Sequence, residues 1–439
     1  MKKLLYIFVS ISFVLFTCCL LCQGKEKSNI EVSQIAEKKA SPQELYRLAD
    51  QLMASVSKIR GLNFKTQIKK KVTNKDTVRK MLLKDIQKPE IMTKLDGEGK
   101  MFIKLGLLPK NFDYKGFLVE IYVEQMAGFY VPEDKTIYIA DWMSMDLQPP
   151  ILSHELTHAL QDQYIDLKSY LKSDYANSDL NMSHTSVIEG EATLVMLEYM
   201  MKNYGFSIYD LPNFSMVQIQ DLMPHQEASK LLASAPPIIS ETMTFPYLYG
   251  TDFLMRFVRT YGWKQVATLY SDKPLSTEQI IHPEKYMSQQ KDLPVTINIK
   301  DVETILGKGW RKINTDVLGE YIIYLLLKQL TTKDFAIIAS QGWGGDQIQC
   351  FQNGSDTLIL MMSSWDTEKD GREFFNAYSH AVINKYTSEH IEDKGNNYYL
   401  WSTEERYVYI GVNNKRVLVI EGATEELIYK ILKTYSFWK

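Results

Sequence analysis

Apolar residues recur at helical spacing in several stretches of the chain and alternate, or run together, in others. The first helical stretch opens at Ser41-Pro42 and carries Leu45, Leu48, Leu52, Val56 and Ile59 on one face, with the serine as cap and the proline in the first turn. A second begins at Pro149-Pro150, packs through Ile151, Leu152, Leu156, Ala159 and Leu160, and reaches Asp162. Ser186 to Lys202 and about Gly250 to Tyr261 predict two more helices, and Ser276-Thr277-Glu278-Gln279 opens another in capping-box style. Upstream of the Pro149 helix, Gly128-Phe129-Tyr130-Val131 and Thr136-Ile137-Tyr138-Ile139-Ala140 flank Pro132-Glu133-Asp134-Lys135, the pattern of a hairpin.

From about residue 297 the texture changes. Val317 to Leu330, Asp370 to Tyr386 and Thr424 to Tyr435 read as helices. Thr357 to Ser363, Tyr398 to Thr403, Arg406 to Val412 and Arg416 to Glu421 read as strands, with Val412-Asn413-Asn414-Lys415 as a hairpin turn. Antiparallel strands with helices between them predict an α+β domain over 297–439, after a mainly helical domain over 43–296. Gly342-Trp343-Gly344-Gly345-Asp346 and Trp365-Asp366 carry turn and packing chemistry and point to no function.

The first residues form a different pattern. Lys2 and Lys3 precede an apolar run from Leu4 to Leu21, so residues 1–22 read as a signal peptide or lipoprotein signal and residues 23–42 as a polar tether. Cys18, Cys19 and Cys22 close the run, and Leu15-Phe16-Thr17-Cys18 loosely resembles a lipobox. Lipid anchoring, a cleaved signal and an uncleaved anchor all remain open, and each puts the body of the protein outside the cytoplasm, in the envelope or secreted. The one further thiol, Cys350, cannot make a disulfide within that body and reads as a small buried residue. The net charge of −3 offers no basic excess for nucleic acid. An apolar fraction of 45% against 23% charged residues is that of a folded chain of 439 residues.

The Pro149 helix carries candidate chemistry: His154-Glu155-Leu156-Thr157-His158. On a helix each residue advances by about 100°, so residues four apart share a face and the two imidazoles can hold one ion. Imidazole suits Zn2+, whose catalytic sites take three protein ligands and keep one position for water. Glu155 falls beside that open position and can act as the base toward the attacking water. A third ligand is needed. A metzincin would have Gly and His where this chain has Gln161 and Tyr164. A carboxylate from a later helix remains, and Val187-Ile188-Glu189-Gly190-Glu191-Ala192 supplies it, with thirty residues between His158 and Glu189. Glu189 and Glu191 lie about 200° apart around a helix, so only one faces the ion. Glu189 is preferred, because Gly190-x-Ala192 leaves room for close helix packing; Glu191 reads as an outer carboxylate and His184 as a rim residue before the helix body. Asp162, one turn past His158, could orient a ligand imidazole or simply face solvent.

The segment His154 to Gln163 resembles the active helix of gluzincins, the thermolysin-like zinc peptidases, and Glu189-Gly190-Glu191-Ala192 resembles the ligand helix of their aminopeptidase branch. Tyr247-Leu248-Tyr249-Gly250 through Tyr261-Gly262 is also similar to those domains. The resemblance covers roughly residues 110–290. It implies a zincin-like domain with a small edge-strand sheet, a Zn2+ ion on His154, His158 and Glu189, Glu155 as base, and a tyrosine stabilising the oxyanion. That tyrosine would be Tyr247, with Tyr249 and His282 as alternatives. It implies a peptide or protein substrate, paired along an edge strand for which Gly128 to Val131 is the candidate. The Gly-rich motif of the aminopeptidase branch is not present, which weighs against an exopeptidase. Two other functions fit the same motif: a non-catalytic envelope binding protein stabilised by metal, and a zinc amidase acting on cell wall.

Overall fold

The computed structural model describes residues 40–211, 215–218, 230–300, 302–386, 390–393 and 397–435. The expected leader (1–22) and nearly all of the expected tether (23–42) lie outside them. Helix α1 (Pro42–Arg60) starts on a capping box: the Ser41 side chain accepts from the Glu44 amide, and the Glu44 carboxylate accepts from the Ser41 amide at 2.7 Å. Gly61 ends it in the left-handed conformation that glycine adopts freely. Next come β1 (Lys69–Thr73), α2 (Lys75–Ile86), α3 (Pro89–Leu105) and α4 (Tyr114–Gln125). The hairpin follows as β2 (Gly128–Val131) and β3 (Thr136–Ala140), paired antiparallel. β1 joins β3 in parallel, so the three-stranded order is β1-β3-β2 and β2 lies at an edge. Among the described residues no helix is long and apolar enough to cross a membrane.

The helical layer is completed by α5 (Gln148–Tyr164), α6 (Ser178–Lys202), α7 (Pro237–Tyr261), α8 (Thr277–Ile281) and α9 (Pro283–Met287). Two of these are longer than their patterns predict. α6 begins eight residues before Ser186, where Asn177 accepts from the Leu180 amide as its cap, so His184 stands within the helix and not before it. α7 begins thirteen residues before Gly250 and runs through Pro246. An interior proline loses one backbone hydrogen bond and marks a break in sequence. Here packing holds the helix together: α7 lies along α6, with Phe245, Phe253 and Leu254 buried.

The C-terminal portion comprises β4 (Arg311–Asp316), α10 (Gly319–Leu330), α11 (Lys333–Ser340), β5 (Trp343–Asn353), β6 (Asp356–Trp365), α12 (Glu368–Lys385), β7 (His390–Asp393), β8 (Tyr398–Thr403), β9 (Arg406–Asn413), β10 (Arg416–Ala423) and α13 (Glu425–Leu432). The strands form one antiparallel sheet in the order β4-β5-β6-β10-β9-β8-β7. Both faces are buried: Ile359, Met361, Val417 and Val419 point to the main core, and Leu358, Leu360, Leu418 and Ile420 to a second core under α13. The molecule is therefore α+β. One apolar core runs from Leu52 and Leu156 through Phe253 to Leu326, Ile359 and Val419, so the helical portion and the sheet are joined by shared packing. The stretch from Gly342 to Asp346, expected as a turn, instead opens β5 around buried Trp343.

Candidate metal centre

α5 carries His154, Glu155 and His158 into the interior, where each is at most 2% exposed. α6 crosses α5 and brings Glu189 to the two imidazoles. His154 Nε2 lies 3.0 Å from His158 Nε2 and 3.1 Å from Glu189 Oε2, and His158 Nε2 lies 3.4 Å from the same oxygen. Tetrahedral ligands at zinc bond lengths of 2.0–2.1 Å would be about 3.3 Å from one another. The triangle matches that spacing, and its two nitrogens and one carboxylate oxygen are a donor set that zinc accepts.

The hydrogen bonds behind the ring fix which nitrogen faces inward. Gln161 Nε2 donates to the Ile188 carbonyl at 3.2 Å and to Glu191 Oε2 at 3.0 Å. Two acceptors on that side fix the orientation of the amide, so its Oε1 faces His158 Nδ1, 2.9 Å away. Nδ1 is then a protonated nitrogen, and Nε2, which faces Glu189 and His154, is the nitrogen that would give its lone pair to an ion held between them. Glu191 is held in turn by Arg60 Nε and the Tyr270 hydroxyl, each at 2.5 Å. Glu191 thus stands behind the cluster and supports it through Gln161. Asp162, the residue one turn past His158, does not orient an imidazole: it accepts from the Tyr130 hydroxyl at 2.8 Å and from the Leu167 amide at 3.2 Å.

Burial opposes charge throughout the cluster, and Glu189 overrides it. The charge on His158 and hydrogen bonds from both imidazoles pull the Glu189 carboxyl down to about 2. Burial and the neighbouring His158 depress His154 below the ordinary imidazole value. His158 is raised despite its burial, because Glu189 and Glu155 favour its charged form. The cluster draws positive charge toward itself, a demand that a divalent cation would meet.

Tyr247 is the tyrosine of α7 that reaches this centre. Its ring lies nearly parallel to His154, with centroids 6.1 Å apart, and its hydroxyl interacts with Glu189. Burial, then the charges of Glu189 and Glu155, push its ionisation well above the ordinary phenol value, so it remains a hydrogen-bond donor. A close approach of helices holds it there: a Cβ at Gly190 would lie 2.3 Å from the backbone of Gly250, and one at Gly250 would lie 2.3 Å from the Ser186 carbonyl. Tyr249 faces elsewhere, packing on Phe245 and Tyr321. His282 bonds Glu320 at 2.9 Å and lines a separate cavity of about 570 Å3 together with Tyr249, away from the metal cluster. His184 packs beside Tyr170. The first residue of β2 lies against the base: a Cβ on Gly128 would be 3.5 Å from Glu155 Cγ.

Three supporting residues were not anticipated from sequence. Gln161 had a signal, because it follows His158 by three residues and so shares its helix face. Arg60 and Tyr270 had none: they reach Glu191 from 131 and 79 residues away.

A family model described as Domain of unknown function (DUF8575) matches residues 305–432, which hold the seven-stranded sheet and its helices. No curated protein and no solved structure matches the chain.

Proposed function

We propose that this chain is an exported zinc-dependent peptidase with a zincin-like, gluzincin-type helical domain. The observation that carries the reading is the convergence of His154, His158 and Glu189 at 3.0–3.4 Å from two crossing helices, with Glu155 beside them. Those three residues would hold the zinc ion, which supplies a Lewis acid that polarises a carbonyl and makes water more acidic. Glu155 takes the proton of the attacking water and delivers it to the amine that leaves as the C–N bond breaks. The Tyr247 hydroxyl donates to the carbonyl oxygen as it gains charge. Strand β2, an edge strand whose first residue, Gly128, lies against Glu155, is the candidate to pair with an extended peptide, although Gly128 to Tyr130 are buried and must be uncovered first. The intact base favours catalysis over a purely structural metal, which would need no Glu155. The apolar run from Leu4 to Leu21 supports export, with a lipid or apolar anchor holding the enzyme at the membrane.

The test combines metal analysis with cleavage of a peptide library. The expected result is one zinc per chain and a fall of about 10²- to 10⁴-fold in cleavage for Glu155→Gln, with zinc retained. Metal-free, inactive wild-type protein would sink the reading.

A further inference from the structure

A second cavity, of about 310 Å3, opens beside the metal cluster and is bounded there by Glu189 and Tyr247. Its volume is at the small end of ligand cavities, roughly 300–1,000 Å3, and suits one side chain better than a folded ligand. Most of the wall is apolar, with Leu82, Met243 and Ile322 among its residues. One carboxylate outside the metal cluster faces it, that of Glu98 on α3.

Glu98 is poorly served by its neighbours. The Tyr114 hydroxyl donates to its Oε1 at 3.2 Å. The nearest cation, Lys94, is bound to Asp316 at 2.8 Å, and it donates weakly to Asn314 as well. Lys94, Asp316 and Glu98 together leave one negative charge unbalanced. Burial accordingly raises the Glu98 carboxyl above the ordinary carboxylate value, with Asp316 adding to it and Lys94 and Tyr114 opposing. Tyr122, another wall residue, is raised by burial and then by the Glu98 charge. Glu98, Glu189 and Tyr247 line one and the same cavity.

An apolar wall with one uncompensated carboxylate is the complement of a long alkyl stem ending in a cation. We propose that this cavity is a specificity pocket for a lysine or arginine side chain flanking the scissile bond, with Glu98 as its counter-charge. The proposal rests on the peptidase reading for its position in the reaction, and makes Glu98 a specificity-determining residue, not a catalytic one.

The test compares peptides that differ only in lysine against norleucine next to the bond cleaved. Wild type is expected to favour lysine by about 10- to 100-fold in kcat/KM, the range of a hydrogen bond to a charged group. Glu98→Gln is expected to reduce that ratio to within about threefold of unity, and Glu98→Asp to recover part of it. A second arm needs no turnover: the two peptides are titrated calorimetrically into Glu155→Gln protein loaded with zinc, where lysine is expected to bind more tightly and the gain to vanish in Glu155→Gln/Glu98→Gln. Absence of all cleavage defeats the peptidase reading, while the calorimetric arm still decides the pocket. Equal cleavage and equal binding of the two peptides by protein with Glu98 intact, or an unchanged ratio in a folded Glu98→Gln variant, would overturn the proposal.

Discussion

Among the described residues, two clusters bring three ligand-type side chains within 4.8 Å of one another: His154, His158 and Glu189 between α5 and α6, and Glu278, Asp292 and Asp366 near α8. The second is all carboxylate, the chemistry of a calcium or magnesium site. Yet its centre belongs to the protein, for the Lys285 ammonium contacts all three acids at 2.5, 2.7 and 2.9 Å. Lys285 is held in its charged form by that surrounding, well above the ordinary lysine value, although its burial works the other way. Glu189 instead draws on two imidazoles and the Tyr247 hydroxyl, and is fully buried while doing so. Ligand spacing alone does not separate a metal site from an internal ion pair. The separation comes from asking whether the chain supplies its own cation.

This contrast can be broken or sharpened at four places. The largest effect is expected behind the metal cluster. Arg60 and Glu191 are each 1% exposed in their side chains, so Arg60→Met leaves a buried carboxylate without its cation. Urea unfolding should show a loss of about 3–5 kcal/mol, and zinc affinity should fall by about 10- to 100-fold as Gln161 loses its anchor. Unchanged affinity would remove Glu191 from the site. Next, Lys285→Ala should cost about 2 kcal/mol, reduced from the fully buried case by the partial exposure of the ammonium. Millimolar calcium should restore part of that stability in the variant and none in the wild type; failure of the rescue would show that the carboxylates are not preset around a cation.

Third comes a buried acid with neither cation nor imidazole. Asp179, 1% exposed, accepts from the Thr277 amide at 2.8 Å and from the Thr277 hydroxyl. Burial, helped by Asp346 and Glu320, raises its carboxyl from 3.8 to about 7, against the pull of those hydrogen bonds. A raised folded value means that folding takes up a proton. The resulting stability is present below pH 4 and is lost as the pH climbs through about 7. Denaturation midpoints across pH 4 to 8 should fall more steeply in wild type than in Asp179→Asn, and parallel curves would refute the assignment. The smallest effect is expected at the surface, where Arg79 and Glu120 pair at 41% and 45% exposure. Glu120→Gln should change stability by no more than about 1 kcal/mol.

The legible parts of this protein were those whose information is local. The strands from Tyr398 to Ala423 follow from β-branched and aromatic runs broken by a turn, and they fold within one or two residues of their expected limits. The helix of His154 and His158 and the hairpin before it are equally local, and Glu189 is reached through the resemblance of its helix to a gluzincin ligand helix, with helix geometry allowing only one of Glu189 and Glu191 to face the histidines. What escaped was set by distant contacts. α7 crosses Pro246 because α6 lies against it. β5 carries Gly344, Gly345 and Asp346 near its start, which interrupt its alternation, and β4 is a short, mostly polar run with a single apolar residue, Ile313; both are strands through their partners in the sheet. The chain of contacts from Arg60 through Glu191 and Gln161 to His158 depends on folding to bring residues 131 apart together. Asp162 sits at the right spacing for an imidazole partner but turns to Tyr130, because the same helical turn holds Gln161, whose longer side chain reaches the ring.

The contact of Gly190 with Gly250 bears on how the site can move. Two helices that touch through their backbones have no side-chain layer between them to shear, so Glu189 and Tyr247 behave as one rigid jaw. On the peptidase reading, an opening that admits substrate would come from the opposite jaw, where β2 meets Glu155 and α3 and α4 line the smaller cavity. Turnover, on that same reading, would be gated by the breathing of that second jaw, and the proposed oxyanion donor Tyr247 and proposed ligand Glu189 would stay in fixed register through each cycle.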